Sequence, residues 1–142
     1  MPTTKTILLV DDNAVQAAIR QVILRRSGYF VITALNPARA LEQLRNNDFP
    51  TEVQLVVTDH VMPDMSGTEF VQQIRRSFPK IPVLVISGME EAEALYDGLQ
   101  VEFRLKPLPP EQLLECVREL VAEPDASSTA DVPAAVTIPS AR

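Results

Sequence analysis

The sequence predicts an α/β fold in which a five-stranded parallel sheet is covered by helices on both faces. Two observations carry that expectation. Short apolar runs recur at Thr6–Val10, Val31–Ala34, Leu55–Thr58, Val83–Ser87 and Val101–Leu105, with helical patterns between them. Strand alternating with helix marks parallel strands joined by crossovers. The runs I-L-L-V and V-L-V-I are also apolar without alternation and rich in branched residues, as strands shielded on both faces are.

The helices follow in order. Val15, Ala18, Ile19, Val22 and Ile23 fall at i, i+3, i+4, i+7 and i+8, an apolar stripe that closes near Ser27-Gly28. Asn36-Pro37 reads as an N-cap with proline at the first helical position, opening a helix with Leu41 and Leu44 on its inner face. Phe70, Val71, Ile74 and Phe78 form a third stripe, ended by Pro79 and Pro82. Between the fourth and fifth runs, Met89–Asp97 supports only a short helix. Leu113, Cys116, Val117, Leu120 and Val121 line the last one. From Pro124 the composition turns to proline, alanine and serine without periodicity, so the chain divides into a domain over 1–122 and a flexible tail over 123–142.

Bulk properties narrow the classes. A chain of 142 residues with a 46% apolar share can close one core without a disulfide or a metal. Its single cysteine, Cys116, forms no internal bridge and reads as helix packing, in keeping with a cytoplasmic location. No apolar run approaches membrane-spanning length, and the first residues lack a secretion signal. The net charge of −6 argues against direct nucleic-acid binding, which needs a basic face.

Polar residues collect where the apolar runs stop. Asp11 and Asp12 follow Val10, Asp59 follows Thr58, Ser87 follows Ile86 and Lys106 follows Leu105. In an open parallel sheet these ends share one edge, and ligands bind there where strand order reverses. If the first and third strands are neighbours, three carboxylates converge. At an effective dielectric near 20, two such charges about 4 Å apart repel by roughly 4 kcal/mol. A hard divalent cation with oxygen ligands relieves that best; magnesium takes one or two carboxylates and completes its shell with water and phosphate oxygen. Lys106 and Ser87 then supply a charge and a hydroxyl suited to phosphoryl oxygens.

Four motifs in this order, L-L-V-D-D-N (8–13), T-D-H-V-M-P-D-M-S-G (58–67), V-I-S-G (85–88) and L-K-P (105–107), resemble those of response-regulator receiver domains of two-component signalling. The resemblance covers roughly Lys5 to Val121. It implies a flavodoxin-like, doubly wound (βα)5 fold with strand order 2-1-3-4-5, and a switch rather than a turnover enzyme. It makes Asp59 the phosphoacceptor of a phosphorelay, phosphorylated by a histidine kinase or phosphotransfer protein. Mg²⁺ would be held by Asp12, Asp59 and the backbone carbonyl of Val61, with Asp11 on a metal-bound water. Lys106, beside a cis peptide to Pro107, would pair with the phosphoryl group. Ser87 would turn toward it and Phe103 would rotate inward, signalling to the face built from the fourth helix, fifth strand and fifth helix. A stand-alone receiver of this kind, a monomer or weak dimer, would act through an output protein, without contacting nucleic acid or membrane itself. Lys106 lies nineteen positions after Ser87, fewer than is usual, so the fourth helix is expected to be shortened.

Other readings compete. Asp11 and Asp12 could simply cap the first helix. His60, the single histidine, should point away from Asp59, as strand neighbours do. Gly67 is expected to supply a positive φ. A magnesium phosphatase with an aspartate nucleophile would want a second acid two residues on, where Val61 stands. A flavodoxin-like cofactor binder would want a loop rich in backbone donors where D-D-N stands.

Overall fold

The computed structural model describes residues 4–121; the tail expected over 123–142 lies outside the described residues. Strands β1 (Thr6–Val10), β2 (Phe30–Ala34), β3 (Val53–Asp59), β4 (Val83–Ser87) and β5 (Glu102–Leu105) form one parallel sheet in the order β2-β1-β3-β4-β5. Helices α1 (Ala14–Arg26), α2 (Pro37–Arg45), α3 (Gly67–Ser77) and α4 (Pro110–Val121) cover it. A 3-10 helix, Glu90–Tyr96, occupies the fourth crossover. Every residue of β1 and β4 is buried, as their unbroken apolar runs require.

The sheet separates two apolar layers. Leu8, Val10, Val56 and Val85 pack with Leu41, Leu44, Phe70 and Ile74 of α2 and α3 on one side. Ile7, Leu9, Val57 and Ile86 pack with Leu24, Leu113 and Val117 of α1 and α4 on the other. Local signals fix the helix starts. Asn36 accepts the Arg39 N–H with Pro37 at the first helical position, and Ser66 and Glu69 form a reciprocal capping box at α3. α1 ends as Gly28 takes φ +96°, while Tyr29 N–H reaches back to the Leu24 carbonyl.

Two expectations are corrected. The stripe on α1 does not face the sheet as a set: Val15 and Ile19 are 71% and 58% exposed, and Val22 is exposed with them. The buried face is instead Ala17, Arg20 and Leu24: Ala17 and Leu24 join the core, and Arg20 lies against Asp11 (3.0 Å). Gly67 has no positive φ; among the glycines that conformation belongs to Gly28 and Gly98, and in the loop before Gly67 it falls to Asp64. The constraint on Gly67 is room. A β-carbon there would meet the Asp59 carbonyl oxygen at 2.8 Å, the His60 Cα at 2.9 Å and the Tyr96 hydroxyl.

The short fourth crossover has a geometric cause. The 3-10 form rises about 2.0 Å per residue against about 1.5 Å in an α-helix, so a short segment covers more of the sheet's length. Arg75 of α3 anchors the return to β5, donating to the carbonyls of Leu99 (2.7 Å) and Gln100 (3.1 Å) as well as Ile81 (2.7 Å) and Phe78 (3.2 Å).

Candidate functional site: an acidic pocket at the carboxyl edge of the sheet

Register builds the site. Val10 pairs with Thr58, Asp59 with Ile86 and Ser87 with Leu105, so the strands run out in step across four neighbours. Asp11, Asp59, Ser87 and Lys106 therefore stand side by side at one edge, where the chain leaves β1 in one direction and β3 in the other. Carboxylate oxygens of Asp11, Asp12 and Asp59 all lie within 4.8 Å of one another. Asp11 and Asp59 are buried and Asp12 is exposed.

Each acid has a distinct environment. Lys106 Nζ lies 2.8 Å from Asp59 Oδ1, a charge contact, since that oxygen has no partner at hydrogen-bond angles. Burial holds the Asp59 carboxyl above its ordinary range, and the charge of Asp11 adds to this; Lys106 and Arg20 pull the other way without overcoming burial. Asp11 Oδ1 accepts the Asn13 N–H (2.9 Å), and Oδ2 accepts from Gln16 Nε2 (2.7 Å) and Arg20 (3.0 Å). Capping of α1 falls to Asn13, whose side chain accepts the Gln16 N–H (3.0 Å), so neither aspartate spends itself on that task.

A buried carboxylate held above its usual pKa beside two more acids is a site short of positive charge. Oxygen donors this close suit a hard cation, and the donor set fits one.

The rest of the set borders the pocket. Ser87 is buried, and its Oγ accepts the Met89 N–H (2.9 Å). Phe103 is half-buried with its ring centroid 5.9 Å from that of Tyr96. The Lys106–Pro107 peptide is cis, as the resemblance implied. Val61 is 62% exposed and Met89 41% exposed. His60 turns away from the acids, its Nδ1 2.6 Å from the Tyr96 hydroxyl. A separate cavity of about 690 Å³ opens at the other end of the sheet, between Leu44, Val53, Pro82 and Val121, remote from this chemistry.

Two participants escaped the sequence reading. Arg20 was hidden because a charged residue on a surface helix reads as solvated. Tyr96 lies 36 residues from its partner His60 in a segment without periodicity, so no local pattern could join them.

A doubly wound sheet with three carboxylates, a lysine and a hydroxyl at its switch point defines a class of proteins that handle a phosphoryl group or a cation. The comparisons narrow it. The model of the response regulator receiver domain matches residues 7–118, and the chain belongs to that family. It is 33% identical over 119 residues to the transcriptional regulatory protein ZraR of Klebsiella oxytoca, covering 82% of this chain and 26% of that protein. It is 36% identical over 110 residues to the two-component response regulator ORR6 of Oryza sativa subsp. japonica, covering 73% and 64%. The chain thus spans about a quarter of the one relative and under two thirds of the other. The crystal structure of a CheY-like response regulator receiver domain protein from Methanospirillum hungatei superposes with a TM-score of 0.76 at 26% identity, covering 84% of this chain and 94% of that one. Among the described residues no helix is long and apolar enough to cross a membrane.

Proposed function

We propose that this protein is a cytoplasmic receiver that accepts a phosphoryl group on Asp59 from a histidine kinase or a phosphotransfer protein. The carrying observation is the Lys106 ammonium 2.8 Å from Asp59 Oδ1, beside the acids of β1. An Asp59 carboxylate oxygen attacks phosphorus, the bond from phosphorus to the donor breaks, and that pair of electrons leaves with the donor. Lys106 sits where it can follow charge onto the phosphoryl oxygens. Mg²⁺, held by Asp12, Asp59 and the Val61 carbonyl with Asp11 on its water, would offset the negative charge that gathers there. One phosphoryl group is taken up per Asp59 on this reading, which makes the protein a switch rather than a turnover enzyme.

The switch reading uses the same residues. The Ser87 hydroxyl is free to donate its own hydrogen to a phosphoryl oxygen. Turning there gives up the bond it accepts from Met89, at the head of the 3-10 segment. Phe103 then follows inward, carrying the change to β5. Output comes from a partner protein that reads that surface, or from onward transfer of the phosphoryl group.

Incubation with Mg²⁺ and acetyl phosphate tests the chemistry by intact mass. One phosphoryl group should appear on the wild type, none on Asp59→Ala, and none in excess chelator. Equal labelling of Asp59→Ala overturns it. Steady turnover of a phosphomonoester would favour the phosphatase reading instead, for which Val61 provides no proton-transfer group.

A further inference from the structure

Arg20 lies on the sheet-facing side of α1 between apolar Ala17 and Leu24, and its side chain is 11% exposed. Its guanidinium is committed to Asp11, which has no exposed surface. With the Asn13 amide and the Gln16 side chain, Asp11 receives three donors. A carboxylate has about four acceptor positions, so Oδ2 is filled and Oδ1 keeps one. Asp11 thus has little left to give a cation directly.

We propose that Arg20 is a positioning residue that acts as the built-in counter-ion of Asp11, leaving Asp12 and Asp59 to bind the divalent cation and weakening that binding. The inference rests on the receiver reading of the site. A dication entering the pocket meets three carboxylates, but Arg20 cancels one of these charges and adds its own repulsion. Its influence reaches Asp59 as well, where it opposes the effect of burial. Arg20 and Lys106 also border one cavity of about 480 Å³ between α1 and the loop after β5, Arg20 against Asp11 and Lys106 against Asp59. A purely structural ion pair would lower stability when broken and leave cation affinity alone. A counter-ion does the opposite to affinity: its removal strengthens cation binding.

Calorimetric titration of the unphosphorylated full chain with Mg²⁺ alone separates the two. Arg20→Met removes the charge and keeps the stem; Arg20→Gln removes the charge and keeps a donor for Asp11, which guards against a variant that does not fold. Both should bind Mg²⁺ about tenfold more tightly than wild type, as loss of a nearby like charge requires. Arg20→Lys, which retains the charge, should stay close to wild type. In melts, Mg²⁺ should raise the midpoint further in Arg20→Gln than in wild type. Unchanged or weaker Mg²⁺ binding in folded Arg20→Gln overturns the inference. No Mg²⁺ binding in wild type and either variant overturns it together with the metal requirement. Loss of acetyl phosphate labelling in wild type would sink only the receiver chemistry, and the Mg²⁺ titration would still decide the role of Arg20.

Discussion

The Tyr96 hydroxyl occupies the space into which a β-carbon at Gly67 would project. The same tyrosine meets His60 (2.6 Å), so the residue after Asp59, the start of α3 and the end of the 3-10 segment interlock at one point. Gly67→Ala should cost about 2 kcal/mol, as overpacking a closed site does. Placed in a Tyr96→Phe background, the same change should cost less by about 0.5–1 kcal/mol. Relief must be partial, because the Asp59 carbonyl and His60 Cα remain at 2.8 and 2.9 Å. Urea denaturation of the four proteins measures this; equal cost in both backgrounds would refute the interlock.

Asp59 should lower stability at neutral pH in metal-free solution. Its carboxyl is held above the ordinary 3.8 by burial, despite Lys106, so the folded state binds the proton more tightly than the unfolded one. Below pH 3.8 both states are protonated and the burial penalty is absent; it appears as pH rises through the folded value and persists above it. Asp59→Asn should therefore be more stable than wild type at pH 7.5 in chelator, because it removes a buried charge that the folded state disfavours. The gap should close on acidification toward pH 3.5. A gap that widens on acidification would show the sign to be wrong.

Arg75 holds the fourth crossover in place. Its guanidinium serves four carbonyls on two segments, which only a planar fork can do. Arg75→Met should cost about 2 kcal/mol by leaving those acceptors short of partners. Hydrogen exchange at Val101 to Phe103 should speed up more than at β1. Arg75→Lys should recover little of the loss, since one ammonium cannot span both segments. Full recovery by lysine would reduce Arg75 to a simple surface charge.

What was legible from sequence shares a physical feature: it was local or it lay at a strand end. The bounds of β1 and β4, the Asn36-Pro37 start of α2 and the inner faces of α3 and α4 follow from runs and periods that the backbone imposes. Asp11, Asp12, Asp59, Ser87 and Lys106 converge because parallel strands in register bring their exits together. The roll of α1 was not legible. Its apolar residues occupy more than one face, and the buried face carries Arg20, whose partner Asp11 belongs to another part of the chain. The 3-10 form of Glu90–Tyr96 was not legible either, since the segment carries no apolar period that separates it from an α-helical turn. The steric role of Gly67 depends on Tyr96, far along the chain.

Val61 and Met89 stand two residues beyond Asp59 and Ser87, past the carboxyl ends of β3 and β4, and both are exposed. Neither side chain can accept or donate a proton, so a water approaching an aspartyl phosphate between them would find nothing to orient or activate it. The modification, once formed on Asp59, should therefore persist. Val61→Asn/Met89→Glu supplies an amide and a carboxylate at the two positions and should shorten the phosphoryl half-life by about tenfold, a small part of what a well-placed general base contributes. Because both residues lie at the surface, the change should leave the thermal midpoint near wild type, which separates altered hydrolysis from altered folding. Intact mass followed over time after removal of acetyl phosphate reads the half-life directly. An unchanged or longer half-life in the double variant would mean that water reaches phosphorus by a path these side chains do not border.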